Sequence, residues 1–424
     1  MSMELPVSRV CVVGLGYIGL PTAAVLASHG YEVVGVDVNA AAVEVINQGR
    51  AHIVEPDLNA AVQGAVALGR LRAVTSPEPA DAFIIAVPTP FGDGHQPDVS
   101  HVERAARSIA PHLVDGNLVI LESTSPPGTT MALARWIAEE RPDLVLPPRD
   151  DPSTGVSVSY CPERVLPGRI LIELVTNDRV IGGLDPASGE LARRLYASFV
   201  QSDCLLTDAA SAEIVKLSEN AFRDVNIAFA NELSLICERN GVDVWDIIRL
   251  ANRHPRVQIL RPGPGVGGHC ISVDPWFLVH SAPDLTPLIR TGREVNDSIP
   301  GYVVTRVTEA LALVPELAGG RGTIACLGLT FKANIDDIRE SPALEIVHSL
   351  AGRPDLDIVV VEPHLASLPS SLADLPNCTL DDLAPALDRA DVAVLLVDHD
   401  EFLSRPDVGK SGRPVLVDTR GVWS

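Results

Sequence analysis

The stretch Arg9-Val-Cys-Val-Val-Gly-Leu-Gly-Tyr-Ile-Gly-Leu-Pro21, read with Glu32-Val-Val-Gly-Val-Asp37, decides the fold of the N-terminal part. Arg9 to Val13 is a short β-branched run. Leu20 to His29 has the spacing of an amphipathic helix, and Glu32 to Val36 is a second strand ending at Asp37. Gly14, Gly16 and Gly19 stand between the first strand and the helix. Strand, glycine-rich turn, helix and strand make one βαβ unit. In such a unit the first glycine permits the tight turn and the second lets a pyrophosphate approach the backbone. The third lets the helix pack closely, with its N-terminus facing the phosphate charge. Asp37 lies 18 residues beyond Gly19, about where an acid meets the ribose hydroxyls of NAD. An acid there repels a 2′-phosphate, which favours NAD over NADP. The bland alternative is a structural turn with no ligand, but the flanking strands and the distant acid argue against it.

Outward from this unit, Ala82–Val87 and Leu118–Glu122 read as further strands. They run into Pro88-Thr89-Pro90 and Ser123-Thr124-Ser125-Pro126, at the strand ends where open α/β sheets bind ligands. From about Thr207 to Asn252 the pattern turns helical, and Asp208 to Glu238 can form one long helix or two. A helix is expected near Pro300 to Leu313, then a loop at Gly319-Gly-Arg-Gly322. Thr323–Leu329 reopens a strand-and-glycine pattern like that of residues 9–16, with strands at Asp357–Val361, Asp391–Val397 and Val415–Asp418. The expected fold class is α/β. An N-terminal Rossmann domain (1–206) is followed by a central all-helical domain (207–315) and a C-terminal Rossmann-like α/β domain (316–424).

Length and composition agree. At roughly 150 residues per domain, 424 residues make two or three domains. A hydrophobic content of 46% excludes a disordered chain. The formal net charge of −22 repels a phosphate backbone, so nucleic acid is not an expected partner. No run approaches the roughly 18 apolar residues needed to span a bilayer, and no basic-then-apolar leader is visible, so neither membrane nor export is expected. Seven cysteines, at 11, 161, 204, 237, 270, 326 and 378, come no closer than 33 residues. That spacing holds no CxxC pair and suggests no disulfide framework. A reduced, cytoplasmic, soluble protein without a metal is expected.

Two segments stand out chemically. In Pro262-Gly-Pro-Gly-Val-Gly-Gly-His-Cys270, small and rigid residues precede a cysteine, leaving it room and backbone amides for an oxyanion. His269 adjoins Cys270, and Asp274 could orient a water or hold a proton, although Asp274-Pro275 could simply begin a turn. The other six cysteines read as inert and buried. On the central helix Lys216, Asn220 and Arg223 fall on one face. With apolar neighbours at Ala221, Val225, Ala228 and Phe229, a buried lysine there could be a general base rather than part of a solvated face.

Six motifs recur in order: Gly14-Leu-Gly-Tyr-Ile-Gly-Leu-Pro21, Glu122-Ser-Thr-Ser-Pro126, Tyr160-Cys-Pro-Glu-Arg164, Glu213 to Asn220, Gly263 to Cys270 and Gly328-Leu-Thr-Phe-Lys332. Over nearly its whole length the chain resembles the nucleotide-sugar 6-dehydrogenases, the family of UDP-glucose dehydrogenase. Pro162–Gly168, Phe222–Glu232, Asn252-Arg-His-Pro-Arg256 and Val266–Trp276 resemble the branch that oxidises UDP-N-acetylmannosamine. The resemblance implies an NAD domain, a central domain that makes a homodimer, and a UDP-binding domain. The implied reaction is a four-electron oxidation of a UDP-sugar's primary alcohol to a carboxylate with two NAD, supplying a uronic acid for a surface polysaccharide. It casts Cys270 as the nucleophile, giving a thiohemiacetal and then a thioester. Lys216 becomes the proton donor and acceptor, Asn220 and Asp274 position it and the water, and Glu163 and Thr124 support that water.

Implied substrate contacts are Arg164, Val165, Lys216, Asn220, Arg223, His254, Arg256, Gly267, Lys332 and Arg420. Implied NAD contacts are Tyr17, Ile18, Asp37, Thr89, Thr124 and Arg339, beside the three glycines. Ala333, and Arg420 where relatives often carry lysine, depart from the family pattern while keeping size or charge. Plainer readings exist: a solvated charge cluster for Arg339, a surface ion pair for Arg420, a helix cap for His254 and Arg256. The same chemistry on another UDP-sugar, UDP-glucose or UDP-N-acetylglucosamine, is an alternative, and two other functions compete. A two-electron β-hydroxyacid dehydrogenase would have no use for Cys270 or a third domain. A UDP-sugar-binding regulator would have no need of Cys270, Lys216 and Asp274 together.

Overall fold

The computed structural model describes residues 7–149, 151, 154–268, 270–314, 320–405, 408 and 413–423. The first sheet has eight strands: β1 Arg9–Val13, β2 Glu32–Val36, β3 Leu71–Val74, β4 Ala82–Ile85, β5 Leu118–Leu121, β6 Ser157–Tyr160, β7 Arg179–Gly183 and β8 Cys204–Asp208. Their order is β3-β2-β1-β4-β5-β6-β7-β8. All pairings are parallel except β6 with β7. The chain order reverses between β1 and β4, the switch point at which such sheets open a ligand crevice. Every residue of β4 and β5 is fully buried, because helices cover both faces. That is why these strands read as unbroken apolar runs instead of alternating ones.

A second, wholly parallel sheet is formed by β9 Gly322–Leu327, β10 Leu356–Val361, β11 Cys378–Leu380, β12 Val392–Leu395 and β13 Val415–Asp418, in the order β11-β10-β9-β12-β13. It reproduces the first sheet in miniature, with its own switch beside β9.

The long central stretch is one helix, Ala209–Arg239, of 31 residues. The expected helix at Pro300–Leu313 is larger than the sequence suggests. It runs from Pro287 to Ala312 with Pro300 inside it. An interior proline costs about 3 kcal/mol, which made it look like a boundary. Here Ile299, Val303, Val307 and Ala310 pack into the core of the second sheet, and burying the three branched side chains at about 1.5–3 kcal/mol each outweighs the defect. That packing also explains the compact units: three domains along the sequence make two bodies, Met1–Glu219 with Trp276–Ala282, and Asn220–Pro275 with Pro283–Ser424. The expected 315/316 boundary falls outside the described residues, whereas β8 continues two residues past 206.

Candidate functional site

In the first unit β1 ends where Gly14 turns at φ +93°, its N–H donating to Val36 O at 2.8 Å. A Cβ on Gly14 would stand 2.4 Å from Ala86 O, and one on Gly19 would stand 1.8 Å from Gly14 O. No other residue fits either place. A Cβ on Gly16, by contrast, would meet nothing within 4 Å, so the turn is open where a pyrophosphate would approach. Gly19–Ser28 is a helix buried over nearly its full length, while Tyr17 is packed against the core with Ile18 as its N-cap. Half-buried Asp37 closes the turn: Oδ2 accepts from Leu15 N at 3.0 Å and Oδ1 from Asn39 N at 2.9 Å. Each oxygen retains lone-pair capacity for hydroxyls. These residues fit a dinucleotide.

Thr89 and Thr124 are brought together, with Thr89 Oγ1 donating to Thr124 O at 2.5 Å. Ser123 Oγ joins the same two strand ends through Val87 O at 2.7 Å. Glu163 is buried; its Oε1 accepts from Arg164 N and its Oε2 from Arg179 Nη1, both at 2.7 Å. Arg164 Nη1 pairs with Glu219 at 2.5 Å and Nη2 donates to Asp178 O at 2.8 Å. Val165 packs on the core. Nearby Glu122 is pushed up to about 7, first by burial and then by the charge of Glu163. Its Oε1 accepts the Tyr196 hydroxyl at 2.6 Å.

Lys216 is buried on the long helix. One turn before it lies a residue that sequence reasoning missed. Glu213 takes Gly128 N at 2.6 Å, Thr130 N at 2.8 Å and Thr130 Oγ1 at 2.6 Å. It locks the helix that carries Lys216 to the loop that carries Thr124. Glu213 opens the quoted segment 213–220, but only a fold can show that its partners lie 80-odd positions away.

In the second unit Asn220 Nδ2 donates to Asp274 Oδ2 at 2.5 Å, both side chains being buried. Asp274 begins a helix, Asp274–Ser281, and its backbone N–H donates to Cys270 O at 2.9 Å. Cys270 is exposed whereas Cys11, Cys161, Cys237, Cys326 and Cys378 are buried and Cys204 is partly so. Burial pushes Cys11 up to about 11 and Cys161 up to about 12, which makes them poor nucleophiles. The glycines before Cys270 also meet a packing demand. A Cβ on Gly267 would lie 2.2 Å from Glu340 O, and one on Gly268 would lie 2.8 Å from the Phe331 ring. They let the loop press against the C-terminal domain. His269 lies outside the described residues.

Arg223, His254 and Arg256 are exposed. His254 Nδ1 accepts from Arg256 N at 3.3 Å, just beyond the helix Val244–Ala251. Lys332 is half-buried. Exposed Arg339 donates to Asp337 at 2.6–3.1 Å. Arg420 donates to Asp398 through Nε at 3.0 Å and Nη2 at 2.8 Å, and its Nη1 sits 2.7 Å from where a Gly263 Cβ would be. Among the described residues no cluster of three His, Cys, Asp or Glu side chains could hold a metal ion, and no helix is long and apolar enough to cross a membrane.

An open glycine turn after the first strand, with a half-buried acid at the end of the second, defines a dinucleotide-binding α/β protein. The chain belongs to the UDP-glucose/GDP-mannose dehydrogenase family: the NAD-binding domain matches over residues 8–200, the central domain over 210–298 and the UDP-binding domain over 325–424. It is an NAD-dependent nucleotide-sugar dehydrogenase. Over 423 residues, the whole chain and 98% of the relative, it is 56% identical to the NDP-N-acetyl-D-galactosaminuronic acid dehydrogenase of Ralstonia nicotianae. Over 98% of this chain and 99% of the relative, it is 54% identical to the UDP-N-acetyl-D-mannosamine dehydrogenase of Escherichia coli K12. A solved UDP-N-acetyl-mannosamine dehydrogenase from Staphylococcus aureus superposes with a TM-score of 0.85 at 41% identity, covering 98% of this chain and 95% of that one.

Proposed function

We propose that the chain oxidises the sixth carbon of UDP-N-acetyl-D-mannosamine from alcohol to carboxylate, through an aldehyde captured on Cys270. The observation that carries this reading is the exposed thiol of Cys270, four residues ahead of a buried aspartate held by Asn220. Lys216 accepts the hydroxyl proton in the first oxidation and steadies the oxyanion afterwards. Cys270 Sγ then adds to the aldehyde carbon, making a thiohemiacetal that is oxidised to a thioester. Water, held by Asp274 with Glu163 and Thr124 in support, cleaves the thioester, releases the acid and restores the thiol. NAD supplies the two-electron acceptor and is used twice per sugar; Gly14, Gly16, Tyr17, Ile18, Gly19, Asp37, Thr89 and Thr124 would hold it, with Arg339 from the C-terminal domain.

Arg164, Val165, Lys216, Asn220, Arg223, His254, Arg256, Gly267, Lys332 and Arg420 are the proposed substrate contacts. The uronate would serve surface polysaccharide synthesis in the cytoplasm. A homodimer belongs to the same reading. It is supported by Phe222, Phe229 and Ile236, exposed at seven-residue intervals on the long helix, an apolar stripe of the kind a partner covers.

The relative from Ralstonia favours a second reading, the same chemistry on an N-acetylgalactosamine derivative. UDP-N-acetylmannosamine, UDP-N-acetylgalactosamine, UDP-N-acetylglucosamine and UDP-glucose, each supplied with NAD, separate the readings by absorbance. The expected result is fastest turnover of the mannosamine compound with two NADH per sugar. A yield of one would overturn the covalent scheme, and preference for another sugar would overturn the substrate. Cys270→Ala should abolish uronate formation while NAD still binds; unchanged acid output in that variant would sink the thioester. Quenched turnover examined by mass spectrometry should show the adduct on Cys270.

A further inference from the structure

In the second unit, a buried acid and a buried histidine remain unused by the proposed chemistry. Glu362 follows β10 and His399 lies beyond β12; both side chains are fully buried. Glu362 Oε2 accepts Leu329 N at 2.7 Å and Thr330 N at 3.3 Å, while Oε1 accepts His364 N at 3.0 Å. His399 Nδ1 accepts the N–H of Asn334 at 3.0 Å. That assignment puts the ring proton on Nε2, which donates to Glu362 Oε2 at 3.1 Å.

Thr330 Oγ1 donates to Lys332 O at 2.8 Å, and Asn334 Oδ1 accepts Asp400 N at 3.0 Å. The loop from Leu329 to Asn334, with Lys332 at its tip, is therefore pinned at both ends to one His–Glu pair. The residue before His399 acts on the second cation: Asp398 receives both Nε and Nη2 of Arg420. Lys332 and Arg420 come from opposite ends of the domain's sequence, yet adjacent residues anchor them.

We propose that the Asp398-His399 dipeptide is the positioning element of the UDP subsite, with His399 setting the loop of Lys332 and Asp398 setting the guanidinium of Arg420. The proposal rests on the reading of Lys332 and Arg420 as diphosphate contacts. In a chain of net charge −22, long flexible cations cost entropy to order around a nucleotide. Fixing them beforehand removes that cost from binding. The Asp398–Arg420 pair leaves Nη1 of Arg420 outside the bond, against Gly263.

The test is calorimetric titration of the full-length protein with UDP, with NAD titrated as a control. Lys332→Ala and Arg420→Ala come first; if both bind UDP as the wild type does, the diphosphate reading falls, and the proposal with it. Given that they weaken UDP, His399→Ala should weaken it about tenfold with NAD affinity within about twofold. His399→Asn places an amide oxygen where Nδ1 stood and should recover most of that loss. Asp398→Asn should weaken UDP several-fold alone but add nothing in an Arg420→Ala background. UDP affinity within about twofold of wild type in His399→Ala, an Asn variant as weak as the Ala variant, or additive Asp398 and Arg420 losses would each overturn the proposal while leaving the diphosphate reading intact. Should His399→Ala fail to fold, Asp398→Asn decides by itself: unchanged UDP affinity overturns the proposal.

Discussion

At Gly14 the backbone leaves β1 with φ +93° and its N–H on Val36 O at 2.8 Å; at Gly328 it leaves β9 with φ +97° and its N–H on Val361 O at 2.9 Å. In both turns the next N–H goes to an acid at the end of the neighbouring strand, Leu15 to Asp37 and Leu329 to Glu362. The device is the same, but the outcome differs. Asp37 is half-buried and, among the described residues, its oxygens hold the backbone N–H groups of Leu15 and Asn39, leaving lone pairs that hydroxyls of a ligand could meet. Glu362 is one methylene longer, buried, and covered by His399. One acid is left open to a ligand and the other is spent on shaping a loop. A strand–glycine–strand–acid pattern thus specifies a turn, and the two turns differ in how accessible the acid is left.

Breaking either turn should produce the largest effects, sorted by ligand. Gly14→Ala forces a Cβ to 2.4 Å from Ala86 O, and Gly328→Ala forces one to 2.4 Å from the Val397 Cβ, each at positive φ. Strain of this kind costs about 1–3 kcal/mol before any overlap is counted. The expected result is a roughly hundredfold loss of NAD affinity in the first variant with UDP binding little changed, and the reverse in the second. Calorimetry with both ligands checks it; equal losses of both would show that the two turns are not independent.

Two buried acids sharpen the contrast through pH. Glu122, in the first unit, is pushed up to about 7 by burial and then by Glu163. Burial also pushes Glu362 upward, but the hydrogen bond from His399, with backbone N–H groups, outweighs it and holds the group below the usual carboxylate range. The signs are opposite. Stability contributed by Glu122 is fully present below the ordinary value near 4.5 and lost as pH rises through about 7. Stability contributed by Glu362 is present above 4.5 and lost as pH falls through its depressed value. Glu122→Gln should flatten the alkaline decline by on the order of 3 kcal/mol between acid and pH 8, followed by denaturant melts across that range. A decline that persists unchanged would assign it to another group.

The acids themselves give the next test. Asp37→Ala should weaken NAD roughly tenfold and narrow the preference over NADP. Glu362→Gln should leave NAD binding alone and cost a comparable free energy of folding, because an amide group would face backbone donors. A Glu362 variant that lost NAD affinity first would erase the distinction between the two turns.

Much of this was legible from residue patterns. The βαβ unit at 9–37 is local in sequence, with the turn glycines and the acid within one short window, so spacing alone recovers it. Strands β1, β2, β4, β5, β9, β10, β12 and β13 are legible as apolar runs, whereas β3, β6, β7, β8 and β11 are short and broken by polar residues or glycine, so no run marks them. Pro300 misled because its cost is local while the burial that offsets it comes from a sheet more than twenty residues away. Glu213, Arg179 and the Glu362–His399 pair were illegible for a related reason: their partners are 83–85, 16 and 37 positions distant, and no periodicity marks them. The packing demand on the glycines before Cys270 is likewise invisible in sequence, since only the fold reveals that Phe331 and Glu340 lie against them.

The smallest expected effect separates a cap from a ligand-shaping contact. Asn39 serves both: its side chain accepts from Ala41 N at 3.1 Å and Ala42 N at 3.4 Å to cap the helix Ala40–Asn47, while its own N–H holds Asp37 Oδ1 at 2.9 Å. Asn39→Ala removes the cap, worth about 1 kcal/mol of stability, but keeps the backbone N–H on Asp37. NAD affinity should then be unchanged. Asn39→Pro, tolerable at φ −84°, removes both cap and N–H, releasing one oxygen of Asp37, so NAD affinity should fall a few-fold beyond the Ala variant. Because Glu362 has His364 N in the corresponding place and His399 besides, no single backbone donor matters as much there. A loss of NAD affinity in Asn39→Ala equal to that in Asn39→Pro would mean that the helix, and not the orientation of Asp37, sets the nucleotide's hold.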